Sequence, residues 1–180
     1  GNVRTFMYYT FGNTTGQNGY ADLGDELPGA AASDNFGISI ALSADGKRMV
    51  VGAPYHDNGG SSRNITGQVS VYDYMDNDTR SGSWQLLATM SGSAHMDWFG
   101  WTVDIDASGR VMCAGAPRNI LYGGYVECHD LSTKLILGKA IHNSIDPCRY
   151  DDNFGYAIKV STNSTSNTIR VAIGAPGKNV

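Results

Sequence analysis

The sequence predicts an all-β protein built from repeats, and three observations carry that expectation. The order Asp-x-Phe-Gly followed by Gly-Ala-Pro occurs three times. Asp34, Phe36 and Gly37 precede Gly52-Ala53-Pro54; Asp97, Phe99 and Gly100 precede Gly115-Ala116-Pro117; Asp152, Phe154 and Gly155 precede Gly174-Ala175-Pro176. The matching glycines recur about every sixty residues, which signals a repeat architecture before any other. Between the motifs, apolar and polar residues alternate around Asp-Gly or Ser-Gly turns, the period of a strand. Glycine accounts for 23 of 180 residues and charged residues for only 17%, yet 41% of the chain is apolar. Such a chain is rich in turns and still able to bury a core.

Taken in order, Gly1 to Tyr9 alternates as a strand and matches Gly67 to Tyr74 and Gly124 to Leu131. The chain therefore opens part-way through a unit. Residues 10–19 form a Gly/Asn/Thr loop, and Tyr20 to Leu27 a short outer strand stopped by Pro28-Gly29. In the first full unit Ile38, Ile40 and Leu42 share one face and the small Ser39 and Ala41 the other, as in a half-buried strand. Asp45-Gly46 turns the chain, Arg48 to Val51 returns, and Pro54 ends the strand because it lacks a ladder N–H. Val69 and Val71 mark a third strand and Trp84 to Met90 a fourth.

The second unit repeats this with Trp101, Val103 and Ile105, the turn Ser108-Gly109, a return over Arg110 to Ala114 and an outer strand over Lys134 to Ile141. The third offers Tyr156, Ile158 and Val160, a polar Ser/Thr/Asn turn, and Ile169 to Ile173. Four short strands in each unit of about sixty residues match the arithmetic of a propeller blade. The expected organisation is one segment, 1–180. It divides into the closing and outer strands of a preceding unit (1–33), repeat 1 (34–96), repeat 2 (97–151) and an incomplete repeat 3 (152–180).

A net charge of -4 without any basic patch excludes nucleic acid as the expected partner. No run approaches the apolar length of a membrane helix. Glycosylation sequons stand at Asn13, Asn64, Asn77 and Asn163, each in an expected loop, which favours a secreted or cell-surface protein. Cys113, Cys128 and Cys148 are an odd set without zinc-ligand spacing, so at least one disulfide is expected. Cys113 and Cys128 align with Val50 and Val71, both expected core positions, and Cys128 is within reach of either other cysteine.

With its Asp-x-Phe-Gly, Gly-Ala-Pro and Gly-x-Val-x-Val-Tyr elements, the sequence resembles the FG-GAP repeat. The family builds the seven-bladed head of integrin alpha subunits and related extracellular propellers. Ile40 to Gly46 and the Trp84 segment are similar to the variant in large surface proteins of microbes. The resemblance implies propeller blades within a larger ring of about six or seven. Three units would then be completed by further repeats or by a second molecule exchanging strands. It also implies Phe36, Phe99 and Phe154 as anchors between blades, with Gly37, Gly100 and Gly155 allowing close approach.

Family members often bind calcium in an acidic loop between the first two strands. Here only Asp104 and Asp106 offer carboxylates in such a turn, and Met112 stands where the last ligand belongs. The expectation is no metal and no other cofactor, with Asp104 and Asp106 the weak candidates. Asp34, Asp97 and Asp152, repeated at one position, are expected to form turns by accepting backbone N–H groups. His56 is expected in a solvated loop. Tyr55, His56 and Tyr122 are the candidate ligand contacts, for a protein or a glycan. No catalytic motif is present, so the chain is read as an extracellular structural, interaction or adhesion module rather than an enzyme. The alternatives are a hydrolase acting on glycans or phosphoesters and a calcium-dependent adhesion module.

Overall fold

The computed structural model describes residues 1–9, 19–59, 64–76, 82–133, 135–138, 140–142, 152–163, 165–166 and 168–177. The sequon asparagines Asn13 and Asn77, and Cys148, lie outside the described residues. Every sheet is antiparallel. At the start, β1 (Asn2–Val3) pairs with β4 (Leu27–Pro28), and β2 (Phe6–Tyr9) pairs with β3 (Gly19–Asp22). A four-stranded sheet follows in chain order: β5 (Ser39–Leu42), β6 (Arg48–Ala53), β7 (Gln68–Met75) and β8 (Ser83–Ser91). Next come β9 (Thr102–Ile105), β10 (Val111–Ala116) and β11 (Tyr125–Asp130), with β12 (Leu135–Ile136) and β13 (Ile141–His142) both paired to β11. The hairpin of β14 (Ala157–Asn163) and β15 (Thr168–Gly174) is the last element.

These sheets stack in sequence order. β9 packs on β5 and β6, and β14 on β9 and β10. Alternation along each strand explains the stacking, because one face serves the sheet before and the other the sheet after. Val103 and Ile105 of β9 enter a core with Val50, Val69 and Val71 of the first sheet. The opposite face of the second sheet gives Cys113, Val126 and Cys128 to a core with Ile158, Val160 and Val171. Cys113 stands directly opposite Cys128, and the two form a disulfide with Cα atoms 4.0 Å apart. Val50 stands opposite Val71 at the same place in the first sheet.

The expected propeller-blade arrangement does not hold. Among the described residues, strands are arranged in sheets of two, five, two, two and four, and none closes or curls on itself. The protein is all-β, but as a stack of open sheets, and it does not consist of three four-stranded units. Among the described residues the first full unit is a four-stranded sheet, the second has five strands and the third is a two-stranded hairpin. In the second, the expected single outer strand over 134–141 is two dipeptide segments flanking Gly138, which holds φ at 78°. A left-handed residue breaks the extended run that a ladder needs. Strand pairing follows from local alternation, whereas curling depends on long-range packing that the repeat motif does not encode.

What joins one sheet to the next is close backbone approach at glycine. A Cβ on Gly52 would lie 1.9 Å from the carbonyl oxygen of Gly100, and one on Gly115 would lie 2.1 Å from that of Gly155. No side chain fits at either position, and the obstacle is backbone that cannot swing aside. Gly52→Ala is expected to destabilise the chain by about 3 kcal/mol or more. Gly19, with nothing near its Cβ position, should tolerate alanine within about 0.5 kcal/mol. Denaturant unfolding of the two variants checks this; equal stabilities would contradict it.

Candidate functional site

The residues singled out by the repeat motif converge on the joints between sheets. At the second joint Phe99 is fully buried, donates its N–H to the Thr66 carbonyl at 3.1 Å, and stacks on Tyr125 at 6.2 Å. Gly100 N–H reaches the Gly115 carbonyl at 3.0 Å, as Gly37 reaches Gly52 and Gly155 reaches Gly174. The Phe-Gly pair therefore fixes the entry to each first strand, and the Gly-Ala-Pro glycine receives it.

Asp97 sits behind this pair, 0% exposed. Its Oδ2 accepts the N–H groups of Ser93 at 3.0 Å and Ala94 at 2.8 Å, the Ser93 hydroxyl at 3.1 Å and the Tyr125 hydroxyl at 3.1 Å. Its Oδ1 accepts the Asn119 amide at 2.6 Å. A buried carboxylate needs that many donors to offset its lost hydration. Burial beside Asp97 pushes the Tyr125 phenol well above its ordinary range, so the phenol stays a neutral donor.

Asp34 occupies the same position in the first joint but has a different partner. Its Oδ2 lies 2.7 Å from His56 Nδ1. The His56 side chain is only 17% exposed, which corrects its expected place in a solvated loop. His56 and Asn119 both stand two residues after the Gly-Ala-Pro proline, so one position supplies the carboxylate's partner in both joints. Asp152 is buried as well. The main-chain carbonyls of Asp34, Asp97 and Asp152 accept N–H groups from Tyr55, Arg118 and Gly177 at 3.2, 3.4 and 3.2 Å. Each acid thus ties the end of a second strand to the start of its own unit. The three serve separate joints and do not form one acidic pocket.

Asp104 and Asp106 bridge the second and third units. Asp104 accepts the Lys159 ammonium at 2.8 Å and the Val160 N–H at 2.6 Å. Asp106 accepts the hydroxyls of Ser108 and Thr162 at 2.5 and 2.7 Å and the Val111 N–H at 2.7 Å. Burial raises the Asp106 carboxyl, but these donors outweigh it and hold the group below the usual carboxylate range. Lone pairs committed to an ammonium, hydroxyls and amides do not form an oxygen cage, so the residues present do not fit calcium. Among the described residues no group of three or more His, Cys, Asp or Glu is placed to hold a metal.

Of the aromatic candidates, Tyr55 is drawn into a cluster of rings. Tyr55 meets Trp98 edge-on at 5.2 Å, and Trp98 stacks on Trp101 at 5.3 Å with the Arg118 guanidinium 5.1 Å from its ring centre. Trp101 in turn meets Tyr156 at 5.5 Å. Faces engaged with one another are not free platforms for a sugar. Tyr122 is 41% exposed and stacks on His142 at 4.6 Å. Sequence reasoning missed Ser93, Asn119 and Thr162 as partners of the acids. Of these, Asn119 had a signal in its alignment with His56.

A family model described as FG-GAP repeat matches residues 28–72, from β4 into β7. That stretch is a generic FG-GAP-type repeat, and the match says nothing of a microbial subtype. No curated protein matches the chain. Among the described residues no helix is long and apolar enough to cross a membrane.

The two joint acids should differ in weight. Asp97→Ala strands five donors and is expected to cost about 3 kcal/mol or more, whereas Asp34→Ala releases, among the described residues, His56 alone and should cost about 1–2 kcal/mol. Thermal unfolding of both variants tests the order, and a larger loss at Asp34 would contradict it.

Proposed function

We propose that the chain is an extracellular structural module that works by protein interaction and is not an enzyme. The observation that carries this is the commitment of its acids. Asp34, Asp97, Asp104 and Asp106 are each engaged by their own donors. Where Asp34 and Asp57 line one pocket, His56 takes Asp34 Oδ2 and the Gly59 and Asn64 N–H groups take Asp57 Oδ1, rather than an unengaged acid and base converging there. A hydrolase needs such convergence of an acid and a base at one reacting group. The FG-GAP-type match over residues 28–72 supports a repeat module in the same sense.

Extracellular placement is supported by the Cys113–Cys128 disulfide, a bond that persists in oxidising compartments. The sequon asparagines Asn64 and Asn163 are exposed, as acceptors must be. Likeness of Ile40 to Gly46 and of the Trp84 segment to microbial surface repeats points the same way. The partner is a protein, with Tyr122 on the accessible surface available to it or to a glycan.

Expression behind a secretory leader in a eukaryotic host tests the compartment. Enzymatic deglycosylation should shift the secreted chain, and Asn64→Gln and Asn163→Gln should each remove part of the shift. A chain left unglycosylated at both sites, with Cys113 and Cys128 as free thiols, would contradict the proposal.

A further inference from the structure

The first strand of each unit carries an apolar row toward the sheet before it. In the second unit that row is covered, with Val103 and Ile105 at 6% and 5% exposure. In the first unit Ile38, Ile40 and Leu42 are 45%, 45% and 50% exposed. A groove of about 610 Å³ lies there, lined by Ile40, Leu42 and Met49 on one side and by Phe6, Met7 and Tyr8 on the other. Among the described residues, β2 pairs only with β3, whereas its counterpart β7 lies between β6 and β8. The groove therefore combines an apolar floor with an open strand edge. At the far end of the stack the hairpin β14–β15 has the reverse condition. Among the described residues, β15 pairs only with β14, whereas its counterparts β6 and β10 each have a second neighbour.

We propose that this groove is a docking site for the β14–β15 hairpin of a second copy of this chain. The molecule displays the required register twice. β6 lies on β7 with Gly52 opposite Val69 and Val50 opposite Val71; β10 lies on β11 with Gly115 opposite Val126 and Cys113 opposite Cys128. Carried to β15 and the first strands, that register places Gly174 opposite Val3 and Ala172 opposite Thr5. Val3 already packs with Phe36 and Met49, as Val69 packs with Phe99 and Met112. The hairpin face turned to the groove then carries Ala157, Ala172 and Gly174. Ser39, Ala41 and Gly52 present an equally small face where β5 and β6 meet β9. Lys159 covers the rest with its methylene stem.

Reciprocal exchange gives a closed pair with two equal interfaces, and it satisfies open edges that would otherwise invite uncontrolled association. The inference names the partner within the module reading above and rests on that reading. It does not depend on the compartment, so unglycosylated protein tests it separately.

The full chain is examined by light scattering at micromolar concentration, where the expected mass is twice 19.2 kDa. Ile40→Asp on the groove floor should return it to a single chain with its fold intact. Thr5→Cys and Ala172→Cys, purified separately, mixed and oxidised, should give a covalent heterodimer. Peptide mapping must place its link at these two positions, the equivalents of Cys128 and Cys113. Thr5 also accepts the Trp84 indole N–H at 2.8 Å. If Thr5→Cys fails to melt cooperatively, the mass of the unaltered chain decides. A monomeric unaltered chain would overturn the proposal. So would a doubly substituted chain that forms the Thr5–Ala172 link within itself.

Discussion

Close contact between main chains at glycine is the constraint on which the rest of the structure depends. Where Gly52 meets Gly100 and Gly115 meets Gly155, backbone touches backbone with no room for a Cβ. Van der Waals contact at that range fixes both the separation of the sheets and the lateral offset of one on the next. With the offset set, Val103 and Ile105 fall onto Val50 and Val71, and Val160 falls onto the Cys113–Cys128 pair. The apolar cores follow from the joints as much as they stabilise them. A single added methyl at a joint would have to move a whole sheet.

The polar groups around the joints act on the same constraint. Asp97 gathers five donors from three stretches of chain, and Asp104 and Asp106 reach the next unit through Lys159, Val160 and Thr162. On the outer side Arg48 pairs with both carboxylate oxygens of Asp73 at 2.6 and 2.7 Å while its Nη1 donates to the Gly109 carbonyl of the following unit. Arg110 holds Asp130 far below the usual carboxylate range, helped by the Ser132 hydroxyl. Partly exposed pairs of this kind contribute little individually, but the bidentate geometry of Arg48 on Asp73 orients the third strand. Charge in this molecule positions sheets.

Much of this was legible in the sequence, for a local reason. Alternation at Ile38 to Leu42 or at Val69 to Val71 is written residue by residue, so strands, turns and the all-β class could be read directly. Recurrence of the motif also aligned Cys113 and Cys128 with Val50 and Val71 without any coordinates. What depended on distant packing was not legible. Nothing in the apolar spelling of Ile40 and Leu42 distinguishes them from Val103 and Ile105, yet only the second pair has a sheet laid over it. The Asp34–His56 and Asp97–Asn119 bonds join residues 22 apart. A loop position after proline does not show by itself that its side chain turns inward, and the alignment of Asn119 with His56 was the one signal. The arrangement of sheets was misread for the same reason, since the motif specifies neighbours and not curvature.

Native-state hydrogen exchange tests the central claim most directly. If the glycine joints hold the stack together, the amides of Phe99, Gly100, Phe154 and Gly155 open only when the chain unfolds globally. Their protection should then match that of Val50 and Cys113 in the strand cores. The same amides exchanging as freely as those of the short β12 and β13 segments would show that the sheets cohere by other means, and would contradict the account.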